Sequence, residues 1–222
     1  MRERFEALVF DMDGVLVDSE PLHLEATRSI LGAEGIEISW EVFKEYVGTT
    51  VEATWRDMML RYGLGGSYED YLQRYEEAIL GVLARELTPA RGAPELIEAA
   101  RERGKRLGLA SSARGTWIAA TLAGLGLTDV FDVIASGDMV THGKPAPDIY
   151  LLAAQRLGIA PKRCIAIEDA PKGVASAKTA GMYTVGVLTD YNDAASMAAA
   201  DELVNSLEEF NYDLLAAFEG AA

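Results

Sequence analysis

The sequence predicts an α/β protein: a doubly wound parallel sheet with a block of helices inserted after its first strand. Three observations carry this expectation. From Pro89 onward, short apolar runs alternate with helix-length segments over short links, the pattern of parallel strands joined by helical crossovers. Runs such as Ala7 to Phe10 and Cys164 to Ile167 are continuously apolar, as strands buried on both faces are. Between the first run and Pro89, residues 19–86 show helical spacing and no strand signal.

The elements follow in order. Ala7 to Phe10 is the opening strand. Asp18-Ser19 with Pro21 starts a helix, Leu22, Ala26, Ile30 and Ala33 recur along it, and Gly35 ends it. A second helix is expected from Ser39 to Val47, closed by Gly48. Thr49 with Glu52 reads as a capping box for a third, broken by Gly63 and Gly65-Gly66. Ser67 with Asp70 opens a fourth, running to about Arg85. Beyond it come a helix from Pro94 to near Gly104, a strand at Arg106 to Ala110, a helix at Thr116 to Ala123 and a strand around Val133 to Ala135. Helices at Asp148 to Leu157 and Pro171 to Ala180 alternate with strands at Arg163 to Ile167 and Tyr183 to Leu188. The tail adds a helix over the Ala-rich patch Ala194 to Ala200, a short strand at Glu202 to Val204 and a last amphipathic helix. The expected division is residues 1–17 and 88–222 as a core and 18–87 as a helical cap. Two links join them, a geometry suited to opening and closing over the strand ends.

Composition narrows the function. The chain has 222 residues, 50% hydrophobic and 25% charged, with a formal net charge of −15. Such an acidic chain repels nucleic acid and anionic membranes, so neither is an expected partner. One cysteine, Cys164, excludes an internal disulfide, and its place in an apolar run suits a small buried hydrophobe. The N-terminal Met-Arg-Glu-Arg-Phe-Glu has no apolar leader, and no run reaches transmembrane length, so the expected compartment is the cytoplasm. Oligomeric state is left open, a monomer included.

In an open parallel sheet, ligands bind beyond the carboxyl ends of the strands. The first strand runs into Asp11 and Asp13, followed at once by Gly14. The second supplies Ser111 and Ser112, the loop after the third supplies Lys144 between Gly143 and Pro145, and the fourth supplies Glu168 and Asp169. Each set has an ordinary structural explanation: an Asp/Gly turn, a helix cap, a solvated loop lysine, a dipole-facing acid pair. Their occurrence at four successive strand ends favours a site. Clustered carboxylates suggest a hard divalent cation, magnesium for preference, and the serine and lysine groups add donors for a phosphate. The set suits phosphoryl transfer, with an aspartate as nucleophile and a second acid to move the proton.

Four stretches, Asp11-Met-Asp-Gly-Val-Leu-Val-Asp-Ser19, Leu109-Ala-Ser111, Gly143-Lys-Pro-Ala-Pro-Asp148 and Ile167-Glu-Asp169, resemble the ordered motifs of the haloacid dehalogenase superfamily, in its phosphatase and β-phosphoglucomutase-like branch. The resemblance spans the chain. It implies a Rossmann-like core with a helical cap, Asp11 as nucleophile and Asp13 as general acid/base. It implies Ser111 and Lys144 on the transferring phosphoryl group. It implies magnesium held by Asp11, the main-chain carbonyl of Asp13 and Asp169, with Glu168 as a further ligand or an acid just behind the ligands. An aspartate at position 13 argues against a true dehalogenase. The expected partner is a small phosphorylated metabolite.

Within that branch the expected reaction is hydrolysis of small phosphomonoesters, sugar phosphates or phosphoglycolate-like compounds, through an aspartyl-phosphate. The mutases carry a cap arginine shortly after a Gly-Val-Ser stretch. The matching stretch here is Gly48-Thr-Thr-Val51, without that arginine, although Lys44 and Arg56 lie nearby in sequence. His23 matches a mutase histidine and, with Ser112, is a candidate substrate contact; His142 reads as a solvated loop residue. A sugar phosphomutase is therefore the second expectation. A non-enzymatic relative, a phosphate sensor or a degenerate chain kept for partner binding, is the third. Receiver domains also gather acids and a lysine, but they lack the helical insert and the Asp-Gly that follows, and a degenerate chain would be expected to lose Asp11, Asp13 or Asp169.

Overall fold

The computed structural model describes residues 5–47, 49–85 and 87–215. They form two compact units: the chain up to Asp18 together with the chain from Leu87 onward, and the stretch that begins at Ser19. No helix among the described residues is long and apolar enough to cross a membrane.

The first unit opens with β1 (Ala7–Phe10), every residue of it buried. The second unit holds α1 (Glu20–Ala33), α2 (Trp40–Phe43), α3 (Val51–Tyr62) and α4 (Tyr68–Leu83), with no strand among its described residues. Ser39, Thr50 and Ser67 each sit in extended conformation and accept at their side-chain oxygen from the amide three residues on, so each start is capped by its own sequence. The third start is therefore one residue later than expected. Thr50, not Thr49, is the cap, because Thr49 Oγ1 already bonds the Tyr46 carbonyl at 2.6 Å and Thr54 Oγ1 at 2.7 Å. The expected second helix is a single α turn that tightens into a 3₁₀ turn at Lys44–Tyr46; so short a segment cannot sustain helix propagation. Gly48, its expected stop, lies outside the described residues. In this unit Trp55, Tyr71 and Tyr75 form the core, Trp55 stacked on Tyr71 at 5.5 Å and edge-on to Tyr75 at 5.8 Å.

The first unit continues with α5 (Ala93–Glu102), β2 (Arg106–Ser111), α6 (Gly115–Gly124), β3 (Val133–Ser136), α7 (Asp148–Leu157), β4 (Cys164–Glu168), α8 (Pro171–Ala180), β5 (Tyr183–Val187) and β6 (Glu202–Val204). All six strands are parallel, in the order β3-β2-β1-β4-β5-β6. The order reverses between β1 and β4, which is where an open α/β sheet presents its binding crevice. Register brings the strand ends level: Phe10 lies beside Leu109 on one side and Ile167 on the other. One face carries small residues (Ala7, Val9, Ala110, Ala135, Ala166), which let α7 and α8 pack closely through Ala153, Ala154, Ala177 and Ala180. Cys164 belongs to this buried cluster, as a small hydrophobe would.

Two expectations at the tail are corrected. Residues 194–200 are turns rather than a helix. Asp193 and Ser196 cap each other as a helix start would. But Asp201 is already committed to the sheet: its amide bonds the Thr184 carbonyl at 2.9 Å and its carboxylate accepts from the Thr184 amide at 2.8 Å. The chain between these anchors forms successive turns, with the Ala198 amide bonded to the Ala195 carbonyl and the Ala200 amide to the Met197 carbonyl. After β6 the described residues form only 3₁₀ turns, Leu207–Glu209 and Tyr212–Leu215; residues 216–222, part of the expected last helix, lie outside the described residues.

Candidate active site

The carboxyl end of β1 turns sharply. Asp11 still holds the sheet ladder through its amide, 2.9 Å from the Ile167 carbonyl. Three residues past Asp11 the chain folds back, with the Gly14 amide 2.8 Å from the Val17 carbonyl and Gly14 at φ +70°. A side chain at 14 would be strained by that φ and would place its Cβ 1.9 Å from Asp169 Oδ2. Glycine after the second acid is thus what lets Asp169 approach. Gly173 does the same for Glu168, whose carboxylate lies 1.9 Å from where a Cβ would stand. One oxygen each from Asp11, Glu168 and Asp169 lies within 4.8 Å of the others, a set able to hold a metal ion.

Lys144 reaches into this set. Its side chain is 7% exposed; Nζ stands 2.9 Å from Asp11 Oδ1 and 2.6 Å from Glu168 Oε1. Glu168 is fully buried and is fixed by two further donors, the Tyr150 hydroxyl at 2.7 Å and the Ala170 amide at 3.2 Å. The lysine loop is pinned in turn, Ser176 Oγ donating to the Ala146 carbonyl at 2.6 Å.

Two buried acids and the half-buried Asp169 against one ammonium leave an excess of negative charge. Burial, with Glu168 and Asp13 nearby, pushes the Asp11 carboxyl up to about 7 against the pull of Lys144. Burial and then the charges of Asp11, Glu168 and Asp13 push Asp169 up to about 9. Burial works against the Lys144 charge, but Asp11 and Glu168 outweigh it and raise its pKa. Asp11 Oδ1 is buried and meets the Lys144 ammonium at 2.9 Å. A hard cation fits: the clustered carboxylate oxygens would ligate it, and it would cancel the surplus charge.

The other candidates are placed as follows. Asp13 lies in the same turn and adds to the field on Asp11 and Asp169. Ser111, at the end of β2, is fully buried; its Oγ accepts from the Ala113 amide at 3.1 Å, leaving its own hydrogen to donate. Ser112 follows it and is exposed. His23 belongs to the helical unit, where Nδ1 lies 2.6 Å from the Tyr75 hydroxyl. Lys44 pairs with Glu41 and Arg56 lies over the Tyr68 ring at 4.3 Å, both in that unit. His142 is exposed and sits 3.0 Å from Asp148 Oδ1. Tyr150 was not singled out from the sequence. Its only signal is position: on the first turn of α7, six residues past Lys144, where an inward side chain returns to the lysine.

A parallel α/β sheet with acids and one lysine converging at its switch point defines a protein of the doubly wound class with a charged site at its strand ends. The family description haloacid dehalogenase-like hydrolase matches residues 5–181, and the chain belongs to that family. Its relatives place it in the phosphatase and β-phosphoglucomutase-like branch. It is 32% identical to the phosphorylated carbohydrates phosphatase of Thermotoga maritima over 92% of this chain and 99% of that one. Crystal structures of CbbY from Rhodobacter sphaeroides, one with phosphate and one of a variant with xylulose-1,5-bisphosphate, are 32% identical over 92% of this chain and 96% of theirs, with TM-scores of 0.80 and 0.79. A β-phosphoglucomutase from Clostridium difficile is 25% identical over 94% of each chain, TM-score 0.76.

Proposed function

We propose that this chain is a magnesium-dependent phosphatase of small phosphorylated carbohydrates, working in the cytoplasm through an aspartyl-phosphate at Asp11. The observation that carries the reading is Lys144 held between Asp11 and Glu168 beside Asp169, a cation-poor acid hollow at the switch point of the sheet. The acidic chain as a whole repels phosphate, so the site needs local positive charge to admit one.

Magnesium would be held by Asp11, Asp169 and the Asp13 carbonyl with Glu168 as the further acid, and when bound it supplies charge neutralisation for the phosphoryl oxygens. The protein's own groups do the rest. The Asp11 carboxylate attacks phosphorus as the bond to the leaving oxygen breaks, and Asp13 gives that oxygen its proton. Asp13, now a carboxylate, takes a proton from the water that attacks the acyl-phosphate, which releases phosphate and restores Asp11. Lys144 and the Ser111 hydroxyl hold phosphoryl oxygens; Ser112 and, from the helical unit, His23 contact the substrate. The helical unit acts as the cap. Relatives that act on or bind phosphorylated sugars support the carbohydrate class.

The test is turnover of p-nitrophenyl phosphate and a panel of sugar phosphates and phosphoglycolate. EDTA should silence it and magnesium restore it; metal-independent turnover, or none with any phosphomonoester, would sink the reading. The second reading, a sugar phosphomutase, is favoured by His23 and by likeness to the Clostridium difficile enzyme. Conversion of β-glucose 1-phosphate to glucose 6-phosphate faster than phosphate release would establish it instead.

A further inference from the structure

We infer that Asn192 is a positioning residue for Asp169, holding that acid's main chain where its carboxylate meets the metal; the inference rests on the proposed reading of Asp169 as a ligand. Asn192 lies in the loop after β5 and is partly buried. Its Nδ2 donates to two carbonyls at once, Asp169 O at 2.6 Å and Val187 O at 2.9 Å. Its Oδ1 accepts from the Thr189 amide at 3.1 Å. Both donor hydrogens are therefore used to bind main chain.

The two carbonyls belong to neighbouring strand ends: Asp169 follows β4 and Val187 is the last residue of β5. Glu168 is in register with Gly186, so Asp169 and Val187 are the next row. The Asn192 amide takes the place of a further ladder bond, and joins the residue after β4 to the end of β5. The loop that carries it is anchored as well: Thr189 Oγ1 accepts from the Tyr191 amide at 3.2 Å, and the Tyr191 hydroxyl donates to Asp18 at 3.2 Å.

Asp169 is thus confined from two directions. Its carboxylate fits against the bare Cα of Gly14, and its carbonyl is tied to Asn192. Held at both ends, Asp169 keeps its carboxylate within 4.8 Å of those of Asp11 and Glu168. Groups that orient a metal ligand without touching the metal commonly change metal affinity ten- to a hundredfold.

Direct Mn²⁺ titration of metal-free protein, by calorimetry or by electron paramagnetic resonance, tests this on wild type, Asn192→Ala and Asn192→Leu. The second variant fills the volume of asparagine without its hydrogen bonds. Both variants should bind Mn²⁺ about tenfold more weakly. The magnesium concentration for half-maximal p-nitrophenyl phosphate turnover should rise by the same factor, with kcat at saturating metal changed less than about threefold. A purely structural role would lower the melting temperature of metal-free protein and leave Mn²⁺ affinity within about twofold of wild type, which would overturn the inference. Wild type that takes up no Mn²⁺ would overturn the metal reading itself, and this inference with it.

Discussion

Both units of this chain carry ion pairs at the surface, but among the described residues the sheet unit alone also buries charged side chains. The helical unit keeps its ion pairs at the surface: Arg61 with Glu45, Arg74 with Glu34 and Arg85 with Glu25 all have side chains at least a third exposed. The sheet unit takes Asp11, Glu168 and Lys144 out of water at the strand ends. Exposed pairs are screened and add little to stability. Buried acids interact strongly, lose ground when unpaired and bind cations in return. The contrast teaches where a fold of this kind tolerates instability: at the strand ends that carry the candidate site, while the helical unit is held by apolar packing around Trp55.

Four measurements would break or sharpen that contrast. The largest effect is expected from Asp11→Asn, which should reduce kcat by about a thousandfold or more. It should leave metal-free protein as stable as wild type or more so, because it removes one charge from an over-acidic cluster. Retained activity within tenfold would refute the nucleophile, and loss of the folded state would refute the electrostatic account.

Next comes pH. Asp11 and Asp169 hold their protons to about 7 and about 9 in the fold, against an unfolded carboxylate value of about 4. Both are raised, so the stability they contribute is complete below about pH 4 and is lost as pH rises through 7 and then 9. The melting temperature of EDTA-treated protein should therefore fall between pH 5 and pH 9, all else in the titration being equal. Magnesium should flatten the fall by binding the ionised acids. A metal-free melting temperature that climbs over this range would contradict it.

Tyr150→Phe should have a smaller effect. It removes one of three donors to the buried Glu168 and should lower stability by about 1–2 kcal/mol, seen as a shift in the urea midpoint. Turnover should slow through looser Lys144 placement. Smallest of all, Arg74→Ala in the helical unit should leave p-nitrophenyl phosphate turnover unchanged and the urea midpoint nearly so. A large drop there would mean the helical unit depends on its charges after all.

Much of the fold was legible because the signals are local. α7 and α8 begin and end where proline, glycine and apolar spacing say they should, at Asp148–Leu157 and Pro171–Ala180. The acids were legible because a continuous apolar run that ends in Asp-x-Asp-Gly has no comfortable place in an ordinary core. The failures are tertiary. Residues 194–200 have helix composition and a helix-type cap, yet they form turns that lead into Asp201, which binds β5. Thr49 and Thr50 are equally good caps by type, and only the Tyr46 carbonyl decides between them. Tyr150 and Asn192 carry no motif; what they do depends on groups eighteen and twenty-three residues away in sequence.

By itself the amino-acid order determined which residue types stand at the end of each strand and how helix and strand alternate, since spacing and local backbone preference act over a few residues. Tertiary structure alone decided the strand order, the reversal between β1 and β4, and the closeness of Asp11, Lys144, Glu168 and Asp169. Those depend on pairing between segments far apart in the chain, where burial and hydrogen bonding across the sheet choose among registers that local preference leaves equal.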